Sequence, residues 1–326
     1  MGVAMKHSLY GHDLLALADW TDTELTDVLE SAAELKQRQR RNKPHALLAG
    51  RSLAMIFEKP STRTRVGFEV AMTQLGGHAV YLSPRDTQLG RGETTADTAR
   101  VLSRMCDAIM ARVYDHQTLV DLAAAADVPV INGLSDWLHP VQALADLLTI
   151  REHFGSWRGL KLAYLGDSNN VSNSLLEVAS RMGMDFALGT PTPEAVDPAL
   201  LAATQAQAAR SGTKLLITNS PHEAARDADV LYTDVWTSMG QESDPGHLAA
   251  LQPFQINAEL LEVARPGCKV LHCLPMHRGE EITADVADGP RSIVFDQAEN
   301  RLHTHKAVLL ATMAGLALKR SQRLAA

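Results

Sequence analysis

Two kinds of run alternate along this chain. Short apolar stretches, bounded by Gly, Pro or Asp, have the length of buried strands. Between them, apolar residues recur at the three- and four-residue spacing of helices. The first helical pattern covers 13–41. There Trp20-Thr21-Asp22-Thr23-Glu24 supplies Thr or Asp as an N-cap before Leu25, Val28, Leu29 and Ala32. The charged run at 36–43 reads as the solvated end of that helix. A strand at 52–57 then leads through Pro60-Ser61-Thr62-Arg63-Thr64-Arg65 into a helix carrying Val66, Phe68, Val70, Ala71, Met72 and Leu75. Gly76-Gly77 stops that helix and 79–82 forms the next strand, completing a βαβ unit. Helices at 94–105 and 119–126 and strands at 108–112 and 129–131 continue the series. A longer helix, 140–154, has Pro near its first position.

A second series begins at Leu160. Strands are predicted at 160–165, 186–188, 214–218, 230–234, 270–274 and 293–295, and helices at 172–182, 198–210, 222–226 and 258–264. Alternation of this kind predicts parallel sheets covered by helices on both faces. The fold class is therefore α/β, with two doubly wound parallel-sheet domains and a cleft between them. The domains are expected at 1–150 and 151–304, joined through the 140–154 helix. The last helical pattern, 300–319, is expected to return to the first domain, which takes 305–326.

Composition narrows the function. With 31 Lys and Arg against 38 Asp and Glu among 326 residues, the net charge is −7. The isoelectric point is near 6.0, which argues against a nucleic-acid-binding role. The apolar stretch 307–318 falls short of the roughly 20 residues that span a bilayer. The N-terminus lacks the apolar core of a secretory signal. Cys106, Cys268 and Cys273 are too few for a disulfide framework, so a cytoplasmic setting is expected.

Ligands of parallel sheets bind beyond the carboxyl ends of the strands, so polar residues there carry the candidate chemistry. Ser61-Thr62-Arg63-Thr64-Arg65 sits where a strand hands over to a helix. Free N–H groups, hydroxyls and an Arg fork there suit a phosphate, beyond what an ordinary N-cap requires. No GxxxxGK[ST] precedes this helix, so nucleotide hydrolysis is not indicated. His139-Pro140-Val141-Gln142 opens the 140–154 helix, where the dipole favours a neutral imidazole able to polarise a carbonyl. After 160–165 comes Gly166-Asp167-Ser168-Asn169-Asn170, which lacks the glycines of a dinucleotide site. Asp234 ends another strand, suits an amine, and leads into a polar loop of the kind that closes over a site. His272-Cys273 ends a third strand. Adjacent strand residues point to opposite faces, so this pair is not read as a zinc site.

Together these residues closely resemble the ornithine carbamoyltransferases. The matching pieces are Phe57-Glu58-Lys59-Pro60-Ser61-Thr62-Arg63-Thr64-Arg65, Gln88-Leu89-Gly90-Arg91-Gly92-Glu93, Asp97-Thr98-Ala99-Arg100-Val101-Leu102 and His139-Pro140-Val141-Gln142. In the second half they are 166–170, Asp234 with Ser238-Met239-Gly240-Gln241-Glu242, His272-Cys273-Leu274-Pro275 and Ala298-Glu299-Asn300-Arg301. The resemblance implies transfer of a carbamoyl group from carbamoyl phosphate to L-ornithine, giving L-citrulline and phosphate. It implies that Ser61, Thr62, Arg63 and Thr64 hold the phosphate. Gln88 would complete that site from a neighbouring subunit of a homotrimer or a multiple of trimers. Arg112, His139 and Arg301 would surround the carbonyl oxygen and phosphate, and Gln142 the carbamoyl amino group. Asn170, Asp234, Ser238 and Met239 would hold the α-amino and α-carboxylate groups of ornithine, with Cys273 and Leu274 bordering its side-chain amine. Arg112, His139, Cys273 and Arg301 would be the catalytic set, and no metal or organic cofactor is called for.

Two positions depart from the pattern. Val141 stands where Cys or Thr is common, and Met276 where Ala is frequent. A bulkier residue at 276 is expected to reshape the acceptor pocket. The alternatives are a carbamoyltransferase for another amine, such as putrescine or an N-acylated ornithine, and a non-catalytic metabolite-binding homologue.

Overall fold

The apolar run Ser52–Phe57 forms strand β2, and its alternate residues face opposite sides of a sheet. Ala54 and Ile56 join a cluster with Ile109, Ala111, Leu119 and Leu122, while Leu53, Met55 and Phe57 are buried as well. Burial on both faces is what a parallel sheet covered by helices demands. A computed structural model describes residues 4–6, 9–83, 92–237 and 244–318. Among them the chain divides into two compact units, Met1–Leu148 with Glu299–Ala326, and Thr149–Ala298.

In the first unit, β1 (Ala4–Lys6) and helix α1 (Asp22–Arg40) precede β2. Helix α2 (Thr62–Gln74), β3 (His78–Leu82), α3 (Thr95–Ser103), β4 (Ala108–Arg112), α4 (His116–Ala125) and β5 (Val130–Leu134) follow. The four strands from β2 to β5 are parallel, in the order β3-β2-β4-β5. The chain thus moves outward from β2 to β3, then returns past β2 to β4. The reversal between β2 and β4 is the place where such sheets bind ligands.

The helix that opens at Pro140, α5 (Pro140–Phe154), carries the chain into the second unit. There β6 (Lys161–Leu165), α6 (Asn170–Val178), β7 (Asp185–Gly189), α7 (Pro198–Ser211), β8 (Leu215–Thr218), α8 (Pro221–Ala225) and β9 (Val230–Thr233) alternate. They are followed by α9 (Pro245–Leu251), α10 (Ala258–Val263), β10 (Lys269–His272) and α11 (Ala284–Ala287). The parallel order is β10-β9-β6-β7-β8, so the reversal lies between β6 and β9. Both sheets are the doubly wound parallel sheets expected from the alternation.

Three expectations change. Ile293–Phe295 is not a strand: α12 (Val294–Ala314) starts there and carries the chain back to the first unit. A short apolar run has no periodicity with which to separate a strand from the first turn of a helix. The C-terminal pattern also ends differently. After Gly315, the segment Leu316–Leu318 is strand β11, paired antiparallel with β1. Lastly, the 36–43 run is not solvated throughout. Lys36 is 3% exposed, and its Nζ donates to Asn300 Oδ1 at 2.7 Å. Among the described residues, no helix is long and apolar enough to cross a membrane.

The Lys36–Asn300 bond ties α1 to α12. Replacing Lys36 by Met keeps the aliphatic stem and removes this charge-assisted bond, so a loss of about 1.5–3 kcal/mol is expected. Urea unfolding of the variant against the parent measures it.

Candidate functional site

Ser61 is the N-cap of α2, with extended backbone, and its Oγ accepts from the Thr64 N–H at 3.2 Å. The hydroxyl still has a proton to donate, at the carboxyl end of β2. Thr62 and Arg63 lie in the first turn, exposed and half-buried, and Thr64 is buried. Arg65 is turned to other partners: its Nε pairs with Glu69 at 2.9 Å, and its guanidinium lies 3.7 Å from the Tyr81 ring centre. The anion-binding candidates therefore stop at Thr64.

Three further elements bring polar groups to this turn. Arg112 is the last residue of β4 and is buried. His139 and Gln142 sit at the start of α5, both buried. Arg301, 4% exposed, comes from α12. Its Nη1 donates to Gln142 Oε1 at 2.7 Å and its Nη2 to Thr64 Oγ1 at 3.0 Å. Gln142 Nε2 donates onward to Asp146 Oδ1 at 2.8 Å. Thus one guanidinium joins α2, α5 and α12.

The electrostatics are cationic. His139 is held well below the usual imidazole range, first by burial and then by the Arg301 and Arg112 guanidiniums, with His305 and Arg63 adding to them. The neutral ring expected from the helix dipole is thus also favoured by burial and neighbouring cations. The Lys59 ammonium is likewise lowered by partial burial and by Arg112. A site that disfavours further positive charge is one that an anion completes.

The second unit gathers a different set. Asn169 caps α6 through Oδ1, accepting from Val171 N–H at 2.9 Å and Ser172 N–H at 3.1 Å. Its Nδ2 donates to Asp234 Oδ2 at 3.2 Å, bridging the ends of β6 and β9. Asp234 Oδ1 accepts from Val235 N–H and from the Cys273 thiol, each at 2.8 Å. Asn170, the first residue of α6, is half-buried. Leu274 has φ +61°, a left-handed conformation costly for a side chain of its size. Its N–H donates to His272 Nδ1 at 2.9 Å. His272 Nε2 must then carry the proton, which it gives to Glu281 Oε1 at 3.0 Å.

The zinc argument from opposite strand faces does not hold, because β10 ends at His272 and Cys273 lies past it. One ligand-type atom each of Asp234, His272 and Cys273 falls within 4.8 Å of the others. Yet both ring nitrogens of His272 are already engaged, so it offers a metal no lone pair. Met276 packs against the apolar core of the second unit. Gln88, Ser238 and Met239 lie outside the described residues. Asn169 and Lys59 lie within the matching motifs, but sequence reasoning gives no role to them or to Asp146. Of these, Asn169 had a local signal, since Asn at the end of a βα turn is a preferred N-cap.

Two family models span nearly the whole chain. The aspartate/ornithine carbamoyltransferase carbamoyl-P binding domain matches residues 12–152, and the Asp/Orn binding domain of the same family matches 158–312. The chain belongs to the aspartate/ornithine carbamoyltransferase family. It is 54% identical over 313 residues to the anabolic ornithine carbamoyltransferase of Pyrococcus furiosus, covering 96% of this chain and 99% of that one. The ornithine carbamoyltransferase of Bacillus subtilis is 51% identical over 314 residues, covering 96% and 97%. Among solved structures, the Pyrococcus furiosus ornithine carbamoyltransferase gives a TM-score of 0.92 at 54% identity, covering 94% of this chain and 99% of that one. The Thermus thermophilus ornithine carbamoyltransferase gives 0.82 at 48%, covering 92% and 98%.

For this carbamoyltransferase, buried neutral histidines predict acid sensitivity. His139 and His305 are lowered, and His303 is pushed down to about 2, chiefly by burial. The unfolded chain takes up these protons near pH 6.5, and the folded chain only much lower. Stability is therefore full above about pH 6.5 and falls as the pH drops, by up to about 1.4 kcal/mol per unit for each group. Urea midpoints at pH 7 and pH 5 should show the loss, and His303→Gln should lessen the difference between them.

Proposed function

We infer that this protein transfers the carbamoyl group of carbamoyl phosphate to the side-chain amine of L-ornithine, giving L-citrulline and phosphate. One observation carries the reading. A buried guanidinium, a neutral buried His and an amide converge on a phosphate-type helix start. Identity of 51–54% to relatives named ornithine carbamoyltransferase supports it.

In this reading, Ser61, Thr62, Arg63 and Thr64 receive the phosphate through N–H, hydroxyl and guanidinium groups. Arg112, His139 and Arg301 face the carbonyl oxygen. Gln142 takes the carbamoyl amino group. The neutral δ-amine attacks the carbamoyl carbon; a C–N bond forms, the C–O bond to phosphate breaks, and the amine's proton passes to the departing phosphate. Negative charge grows on the carbonyl oxygen in the transition state. A neutral imidazole donor and fixed guanidiniums stabilise that charge with little reorganisation, each such donor being worth about 3–4 kcal/mol.

Asn170, Asp234, Ser238 and Met239 hold the α-amino and α-carboxylate groups of ornithine, and Cys273 and Leu274 border the δ-amine. The carboxylate of Asp234 suits a cationic α-amino group, which an N-acylated ornithine lacks. Met276 is partly buried against the second unit's core, and the relatives named ornithine carbamoyltransferase favour ornithine as the acceptor. The working form is a cytoplasmic homotrimer or a multiple of trimers, with Gln88 reaching the neighbour's phosphate site. Among the described residues β3 is an edge strand, and it and the exposed Val66 and Val80 support such an association.

Product formation from carbamoyl phosphate with ornithine, putrescine, N-acetylornithine or aspartate tests the reading. Citrulline is expected with ornithine alone, and its absence at saturating ornithine refutes the assignment. Arg63→Ala is expected to raise the KM for carbamoyl phosphate at least tenfold, consistent with loss of a charged hydrogen bond worth about 1.5–3 kcal/mol. Sedimentation velocity should give three times the chain mass, or a multiple of that.

A further inference from the structure

Arg301 makes a third contact that the phosphate reading does not use. Its Nε donates to His305 Nε2 at 3.3 Å, one turn further along α12. His305 is 0% exposed. Its ring stacks on Phe68 with centroids 3.9 Å apart and planes 9° from parallel. Its other edge lies against Gly67: a Cβ on that residue would stand 2.6 Å from His305 Nδ1 and 2.8 Å from Cε1. Contacts that close cannot be accommodated without moving the ring.

We propose that His305 is a positioning residue for the Arg301 guanidinium, and that Gly67 is glycine because the imidazole occupies the space of its side chain. The proposal rests on the reading of Arg301 as a carbamoyl phosphate ligand. Three nitrogens of one planar group are then each engaged: Nη1 by Gln142, Nη2 by Thr64 and Nε by His305. A guanidinium held at all three cannot rotate about its terminal bonds, so its fork is oriented before substrate arrives. Nε2 can accept only if the imidazole is neutral with its proton on Nδ1. Burial and the adjacent Arg301 both favour that neutral form. An aliphatic residue at 305 could fill the space but could not accept this bond. Phe68 and Gly67 hold the imidazole from α2, the helix that also carries Thr64, so one helix turn sets both the phosphate nest and its cation.

Four variants test this, assayed as the full chain with thermal unfolding measured alongside. His305→Leu is expected to raise the KM for carbamoyl phosphate about tenfold, the order of one hydrogen bond to a charged group. The KM for ornithine should stay within twofold. His305→Gln, whose Oε1 can accept from Nε, should recover part of the loss. Gly67→Ala removes no atom and favours a helix, yet should reproduce the His305→Leu defect by displacing the ring. In the His305→Ala background, Gly67→Ala should add nothing, because the ring it would meet is gone. An unchanged KM in both folded His305→Leu and folded Gly67→Ala overturns the proposal. So does a Gly67→Ala defect that persists in the His305→Ala background. Arg301→Gln is the control: normal carbamoyl phosphate binding in that variant refutes the site reading itself, whereas a defect there with none at 305 or 67 refutes only the positioning.

Discussion

The first unit's site depends on one buried cation. Arg301 is nearly inaccessible, and a charge removed from water must be met by polar partners at close range. Thr64, Gln142 and His305 meet it, one from α2, one from α5 and one from its own helix. None of the three is an anion. Burial, with the Arg301 and Arg112 guanidiniums, keeps His139 neutral and so able to donate to a carbonyl oxygen.

The second half-site is organised around the opposite sign. Asp234 is steadied by an amide, a backbone N–H and a thiol rather than by a Lys or Arg. Its charge is therefore not cancelled by a fixed counter-ion at these contacts. Each unit thus gathers side chains of one sign at the reversal point of its sheet, arginines at β2/β4 and Asp234 at β6/β9. The topology dictates the location and the side chains dictate the sign. A net charge of −7 over the chain reveals neither.

Most of the architecture was legible from spacing. Strands β2 and β4 and helix α5 occupy the predicted residues, because wholly apolar runs and a Pro at a helix start leave little ambiguity. The misreadings fall where local pattern carries no information about partners. Lys36 looks like any surface lysine, since burial beside Asn300, some 260 residues away, leaves no trace in its neighbourhood. Likewise, 293–295 has a strand's composition in a helix's first turn. The polar turns after β2, β6 and β9 could be found because a parallel sheet puts its ligands there. The links from Arg301 to Thr64 and Gln142 could not, since they span 237 and 159 residues. His305 reads as one more position on an apolar helix until its ring is placed against Gly67.

The division of the chain into units sets an order on its own synthesis. The second unit is an excursion from the first, entered through α5 and left through α12. Arg301 therefore emerges long after Ser61, Thr64, His139 and Gln142. Until then those residues lack the guanidinium that joins them, and β1 lacks the β11 strand it pairs with. A chain ending between α5 and α12 would carry every other element of the phosphate site without the cation that joins them. The residue that joins the groups of this site is thus the last of them to be synthesised.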